Sequence, residues 1–187
     1  MLLKIVVFHL LILPNLISVI QTAKRRLDIV LNSASCQPTH PVSTQYDCDL
    51  KKLSAGNYAL DMSLMFSKDL NTNSEWQTVI YFNHAQLKTG GWMKFMDFKM
   101  NICNFFTTAK SVPLIKAIVG EMRKSSNLPY QCPLKGNFLY TLSNFSINSK
   151  FLPSYTPLVK FNFSFNTYDN QKLISQLFLE GSTTLRS

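Results

Sequence analysis

Glycine is scarce in this chain, with 6 among 187 residues. Loops that cradle phosphate need closely spaced glycines so that backbone N–H groups can approach the anion, and the adjacent pair Gly90-Gly91 fits no such loop motif. Histidine is scarcer still at 3, and one of these, His9, lies in an N-terminal apolar run. Neither a Gly-x-Ser-x-Gly elbow nor a His-Glu-x-x-His motif is present. His40 and His84 are not spaced as a ligand pair, and no cysteine has a partner at Cys-x-x-Cys spacing. A hydrolase built on His84 would lack any triad signature. The sequence points away from an enzyme, and neither a cofactor nor a metal is expected. Beyond the N-terminal run, no stretch is long and apolar enough to span a bilayer.

Apolar residues make up 46% of the chain and charged residues 16%. That balance supports a packed core and excludes a disordered polymer. The length suits one domain. The formal net charge is +9. Its ordinary consequence is solubility, and its sharper one is attraction to an anionic membrane surface.

Lys4 precedes an apolar run from Ile5 to Leu13, which Pro14 and Asn15 interrupt before Leu16 to Ile20. A basic residue before a short apolar core is the pattern of a secretory leader. Residues 1–22 are read as that leader and 23–187 as a single domain. The basic cluster Lys24, Arg25 and Arg26 argues the other way, since it can hold such a segment as an anchor. Export leaves no role for nucleic acid. Cys36, Cys48, Cys103 and Cys132 then read as two disulfides. Three pairings are open, of which Cys36–Cys48 with Cys103–Cys132 closes the shortest loops.

Most of the remaining chain alternates with a period of two, the mark of half-buried strands. Leu27, Ile29 and Leu31 share one face of a first strand, and Tyr46 to Leu53 forms a second. Tyr58, Leu60, Met62, Leu64 and Phe66 share a face of the third. Trp76, Thr78, Ile80 and Phe82 share a face of the fourth. In Trp92 to Cys103, Met96, Phe98, Met100 and Ile102 oppose Asp97, Lys99 and Asn101. The period then lengthens. Leu114, Ile115, Ile118, Val119 and Met122 form one helical stripe, with Ser111 as cap and Pro113 in the first turn. Strands resume with Phe138, Tyr140 and Leu142, continuing past a bulge through Asn144 to Ile147. Val159, Phe161, Phe163 and Phe165 alternate with Lys160, Asn162 and Ser164, and Leu173, Leu177 and Leu179 supply the last strand. The pattern predicts a mainly β fold: a two-sheet antiparallel β-sandwich with one α-helix between the fifth and sixth strands.

Several segments then combine. Cys36 ends the first strand and Cys48-Asp49-Leu50-Lys51 enters the second. Asn101-Ile102-Cys103-Asn104-Phe105-Phe106 precedes the helix. Ser126-Asn127-Leu128-Pro129, Cys132-Pro133-Leu134-Lys135-Gly136 and Leu152-Pro153 follow it. In this order and spacing, over about 150 residues, the chain resembles an insect family of secreted proteins that includes the CheB chemosensory proteins. That family is similar to the MD-2-related lipid-recognition (ML) and ganglioside activator proteins. Asn101 stands where the family usually has Asp, and Asn104 where it has Lys. Ser154-Tyr155-Thr156-Pro157 replaces a Pro-x-Gly-x-Tyr turn. The resemblance implies an ML-like sandwich whose sheets part at one end around an apolar cavity.

The expected function follows from it: a secreted, non-enzymatic carrier of a lipid-like or other apolar small molecule, with a chemosensory or pheromone-related role. The expected cavity lining is Leu64, Phe66, Ile80, Phe82, Phe98, Met100, Ile118, Met122, Phe138, Tyr140, Phe161, Phe163, Phe165 and Leu177. Lys94, Lys99, Lys160 and Lys172 are either a solvated face or a basic rim around its mouth. The other expectation is an extracellular interaction module with a fully packed core and a receptor as partner. Asn144-Phe145-Ser146 and Asn162-Phe163-Ser164 are glycosylation sequons, and alternation places Asn162 outward.

Overall fold

The computed structural model describes residues 27–83, 91–108, 113–129, 131–152 and 156–186. The side chains of 106–108, 113–115, 117, 118 and 151 are outside that description. So are residues 1–22, read above as a leader, the basic cluster after them, His84, Ser111, Thr89 and Gly90.

Among the described residues, eight strands form two antiparallel sheets. They are β1 (Leu27–Pro38), β2 (Ser43–Ser54), β3 (Asn57–Phe66), β4 (Ser74–Asn83), β5 (Trp92–Asn101), β6 (Tyr140–Asn148), β7 (Lys160–Asp169) and β8 (Lys172–Leu185). The larger sheet has the order β1-β8-β7-β4-β5 and the smaller β2-β3-β6. The predicted alternation holds in register. Trp76, Thr78, Ile80 and Phe82 on β4 stand beside Thr167, Phe165, Phe163 and Phe161 on β7. Phe165 and Phe163 in turn face Leu177 and Leu179 on β8.

Turn chemistry fixes the hairpins. Asn170 and Gln171, both at positive φ (46° and 66°), join β7 to β8 in a two-residue turn, a backbone that matches the right-handed twist of the flanking strands. Between β2 and β3 Gly56 alone takes a left-handed backbone (φ 66°), beside a register shift at Lys52/Ser54. A Cβ there would come within 2.6 Å of the Asp28 side chain, so glycine is required sterically as well.

The helical region departs from expectation. Two helices connect β5 to β6: α1 (Ile102–Thr108) and α2 (Pro113–Lys124). The period-two pattern carries the fifth strand to Cys103, but the strand stops at Asn101. The Asn101 carboxamide oxygen accepts from the N–H groups of Cys103 (2.8 Å) and Asn104 (3.2 Å). That is N-capping, which satisfies donors a strand would leave open and turns the chain into a helix. Phe138 likewise precedes β6 rather than joining it.

The core has three parts. At one end Phe66, Leu70, Trp76, Ile102, Leu134, Tyr140 and Ile174 pack together. In the middle Tyr46 and Leu60 of the small sheet meet Leu177 and Leu179 of the large one. At the other end Ile29 and Leu31 pack on Tyr58. Both disulfides follow the sequential pairing. Cys36–Cys48 joins consecutive strands, as expected, but β1 and β2 lie in different sheets. It therefore pins the two layers along one side. Cys103–Cys132 ties α1 to the loop before β6 at the end holding Trp76 and Phe105.

Candidate functional site

Opposite the β1/β2 side, the small sheet ends at β6 while the large sheet runs on to β4 and β5. The segment after α2 closes the β6 edge. The Ser143 N–H donates to the Ser125 carbonyl (2.7 Å), the Asn127 N–H to the Thr141 carbonyl (3.2 Å), and the Thr141 N–H to the Asn127 carboxamide (2.7 Å). Helix α2 packs on β6 and on the 3₁₀ turn Ser149–Phe151, with Val119 buried.

The inward face of β4 and β5 is covered unevenly. At its Trp76 end, Phe105 of α1 meets the indole edge to face, with ring centroids 5.0 Å apart, and Phe165 lies 5.5 Å away. This end is sealed. Toward Phe82 the cover by described residues thins. Register puts Met100, Phe98 and Met96 of β5 beside Trp76, Thr78 and Ile80, and Met93 beside Phe82. Phe98 is 39% exposed and Met93 55%. On β8, Leu177 and Leu179 are 5% and 7% exposed on the same face. Ile80, Phe82, Phe161 and Phe163 are half-buried between these extremes.

Phe95 belongs to this surface, and alternation alone hides it. Counting by twos assigns it to the outer side with Asp97. The register slips between Ile80 and Tyr81, which face Met96 and Lys94. Phe95 is the extra residue of this bulge, and its ring stacks on Phe82 at 4.3 Å. Its exposure is 56%. Bulges re-aim side chains in this way, and no local sequence signal marks this one.

The fourteen residues expected to line a cavity do not come together in one place. Phe66, Tyr140 and Leu177 are buried core. The Tyr140 hydroxyl accepts from the Lys135 N–H at 2.6 Å. Leu64 and Phe165 pack against that core, and Phe165 reaches Trp76. Ile80, Phe82, Phe98, Met100, Phe161 and Phe163 share the inward face of β4, β5 and β7, where cover declines from Met100 toward Phe82. Gly181 stands opposite Phe161, where a Cβ would lie 2.6 Å from the ring. Met122 lies half-buried on α2, and the Ile118 side chain lies outside the described residues. Phe138 is exposed, with its ring 4.8 Å from that of Tyr140.

The basic residues are mostly engaged elsewhere. Lys94 pairs with Asp97 (2.8 Å) and Lys99 with Glu75 (2.7 Å), while the Lys99 ammonium also sits 4.3 Å from the Tyr168 ring centroid. These pairs lie on the outer face of the large sheet. Lys160 and Lys172 are exposed at strand starts.

Two surface hollows lie away from the apolar face. One, of about 160 Å³, is bounded by His40, Lys68, Asp169 and Lys172. Asp169 accepts from the Ser74 hydroxyl (2.8 Å), the Lys68 ammonium (2.7 Å) and the Asn170 amide (3.1 Å). Burial alone would raise its carboxyl pKa, but these partners outweigh it and hold it below the usual range. The group locks the β7–β8 turn to the start of β4. The other hollow, of about 330 Å³, is polar and bounded by Thr72, Asn73, Glu75, Asn101, Asn170 and Gln171. Among the described residues, no three His, Cys, Asp or Glu side chains come together as a metal site. No described helix is long and apolar enough to cross a membrane.

No curated protein matches the chain. Residues 78–163, which run from within β4 through β5, both helices and β6 into β7, match the model of a family described as a protein of unknown function (DUF1091), and this segment is therefore similar to that family.

Proposed function

We propose that the protein is an extracellular carrier of an apolar small molecule, lipid-like in character, held against the inward face of β4, β5 and β7 without chemical change. One observation carries this reading. Phe98, Met93 and Phe95 stand on or over a face that elsewhere forms the core, yet they are 39–56% exposed. Apolar burial is worth about 25 cal/mol per Å², and aromatic rings bury about 150–250 Å² each. An acyl chain or ring laid across these residues would recover much of that free energy. Methionine at Met93, Met96 and Met100 adds an adaptable wall suited to varied apolar shapes. The disulfides support an oxidising, extracellular setting.

Native mass spectrometry of protein secreted from insect cells tests the reading, followed by uptake of a fluorescent fatty acyl probe. Bound lipid or saturable uptake is expected, with Phe98→Ser and Phe82→Ser reducing uptake at least tenfold. Apo protein with no uptake would overturn it.

A second reading rests on β5 as an edge strand. Trp92 is 48% exposed there beside the same apolar residues, and interfaces are enriched in such aromatics. In that case Trp92→Ser should abolish capture of a protein partner while leaving probe uptake intact.

A further inference from the structure

We propose that Asn144 carries an N-linked glycan and that the second sequon, at Asn162, stays bare. The inference rests on the extracellular part of the proposed function and is independent of the ligand. Alternation favours Asn162, because it points that residue outward from its strand. The fold reverses the order.

Asn162 lies mid-sheet on β7, hydrogen-bonded between two strands, with Tyr81 on one side and Glu180 on the other. It is half-buried among them. A glycan there would have to leave from the centre of a five-stranded sheet. Asn144 sits where β6 bulges. The register steps from Leu60 facing Phe145 to Met62 facing Leu142, so Ser143 and Asn144 together oppose Asp61. Asn144 takes φ 54°, a left-handed backbone that asparagine tolerates better than most residues. Its N–H donates to the Asp61 carboxylate at 2.6 Å, which fixes the bulge. Asp61 is itself held by Lys51 at 2.7 Å. The Asn144 residue is exposed, and among the described residues its side-chain amide makes no hydrogen bond. Leu142 and Phe145 face the core, so the amide projects from the outer face of the small sheet. The sequon is thus presented on a protruding turn, with its amide uncommitted. A glycan there covers the outer polar face of β3 and β6 and leaves β5 and the apolar inward face clear.

The test is intact mass and glycopeptide mapping of the full chain secreted from insect cells, before and after treatment with a peptide N-glycosidase. One glycan is expected, located at Asn144. Asn144→Gly keeps the positive-φ backbone while removing the amide, and it should be secreted without the mass shift. Asn162→Gln should keep the shift. Secreted wild-type protein with no glycan, or a glycan that survives Asn144→Gly, overturns the proposal. Retention of the unglycosylated protein inside the cell would overturn the extracellular reading along with it. Loss of the shift in Asn162→Gln would reverse the assignment.

Discussion

The inward face of the large sheet differs between its two sides. Where β1 and β8 lie under the small sheet, Ile29, Leu31, Leu177 and Leu179 are buried against Tyr46, Tyr58 and Leu60. Where β4 and β5 extend past β6, Trp76 is buried, but Ile80, Phe82, Phe98 and Met93, of the same chemistry in the same alternation, stay half-covered or exposed. Both sides satisfy the pattern of a half-buried strand. They differ in what lies opposite, because five strands cannot be covered by three. The first side holds the fold together. The second leaves apolar surface exposed.

The sharpest way to break this contrast is to cut one ring in the sealed core and one of equal size on the exposed face. Phe66→Ala removes a ring that is 1% exposed and should cost about 3–5 kcal/mol in urea unfolding. A loss below about 1 kcal/mol would show that this end is loosely packed. The Cys36–Cys48 bond spans 12 residues of sequence. Replacing both with serine should lower stability by about 3 kcal/mol and let the layers part along β1 and β2, read as faster amide exchange in those strands.

Asp169 tests the closed end electrostatically. Its folded pKa lies below the ordinary value despite burial, through Lys68, Ser74 and Asn170. The stabilisation is therefore present above the unfolded pKa, near 3.9, and is lost as pH falls through the lower folded value. Asp169→Asn should cost about 1–3 kcal/mol at pH 7. The gap from wild type should shrink in acid below about pH 4, as followed by denaturant titration at each pH. A gap that is constant with pH would remove the ionic account. The smallest stability effect belongs to the open side. Phe98→Ser should change unfolding free energy by under about 1 kcal/mol while lowering acyl-probe uptake. A loss comparable to Phe66→Ala would mean that Phe98 is core after all.

Much of this molecule was legible one strand at a time. Alternation named the inward residues of β1, β3, β4, β7 and β8, because a strand pleat has period two and one buried face selects for it. The helical stripe located α2, and an even cysteine count after a leader-like N-terminal run announced disulfides. The failures share a cause. Asn101 ends β5 because its side chain finds two backbone donors, and Ile102 continues the strand pattern only by coincidence. Phe95 faces inward because of a bulge set by pairing with β4. The bulge in β6 was expected and is present, but that it makes Asn144 protrude follows from its pairing with β3. Each depends on a neighbour that the local sequence does not display.

The sequence by itself therefore determined the number and faces of most strands, the position of the long helix and the residues able to cross-link. These are local matters of side-chain period, turn backbone and capping. Only the tertiary structure decided that consecutive strands β1 and β2 fall in opposite sheets, and that Phe66 is sealed while Phe98 is exposed. A side chain's burial depends on the layer that lands above it, and that layer comes from residues distant in the chain.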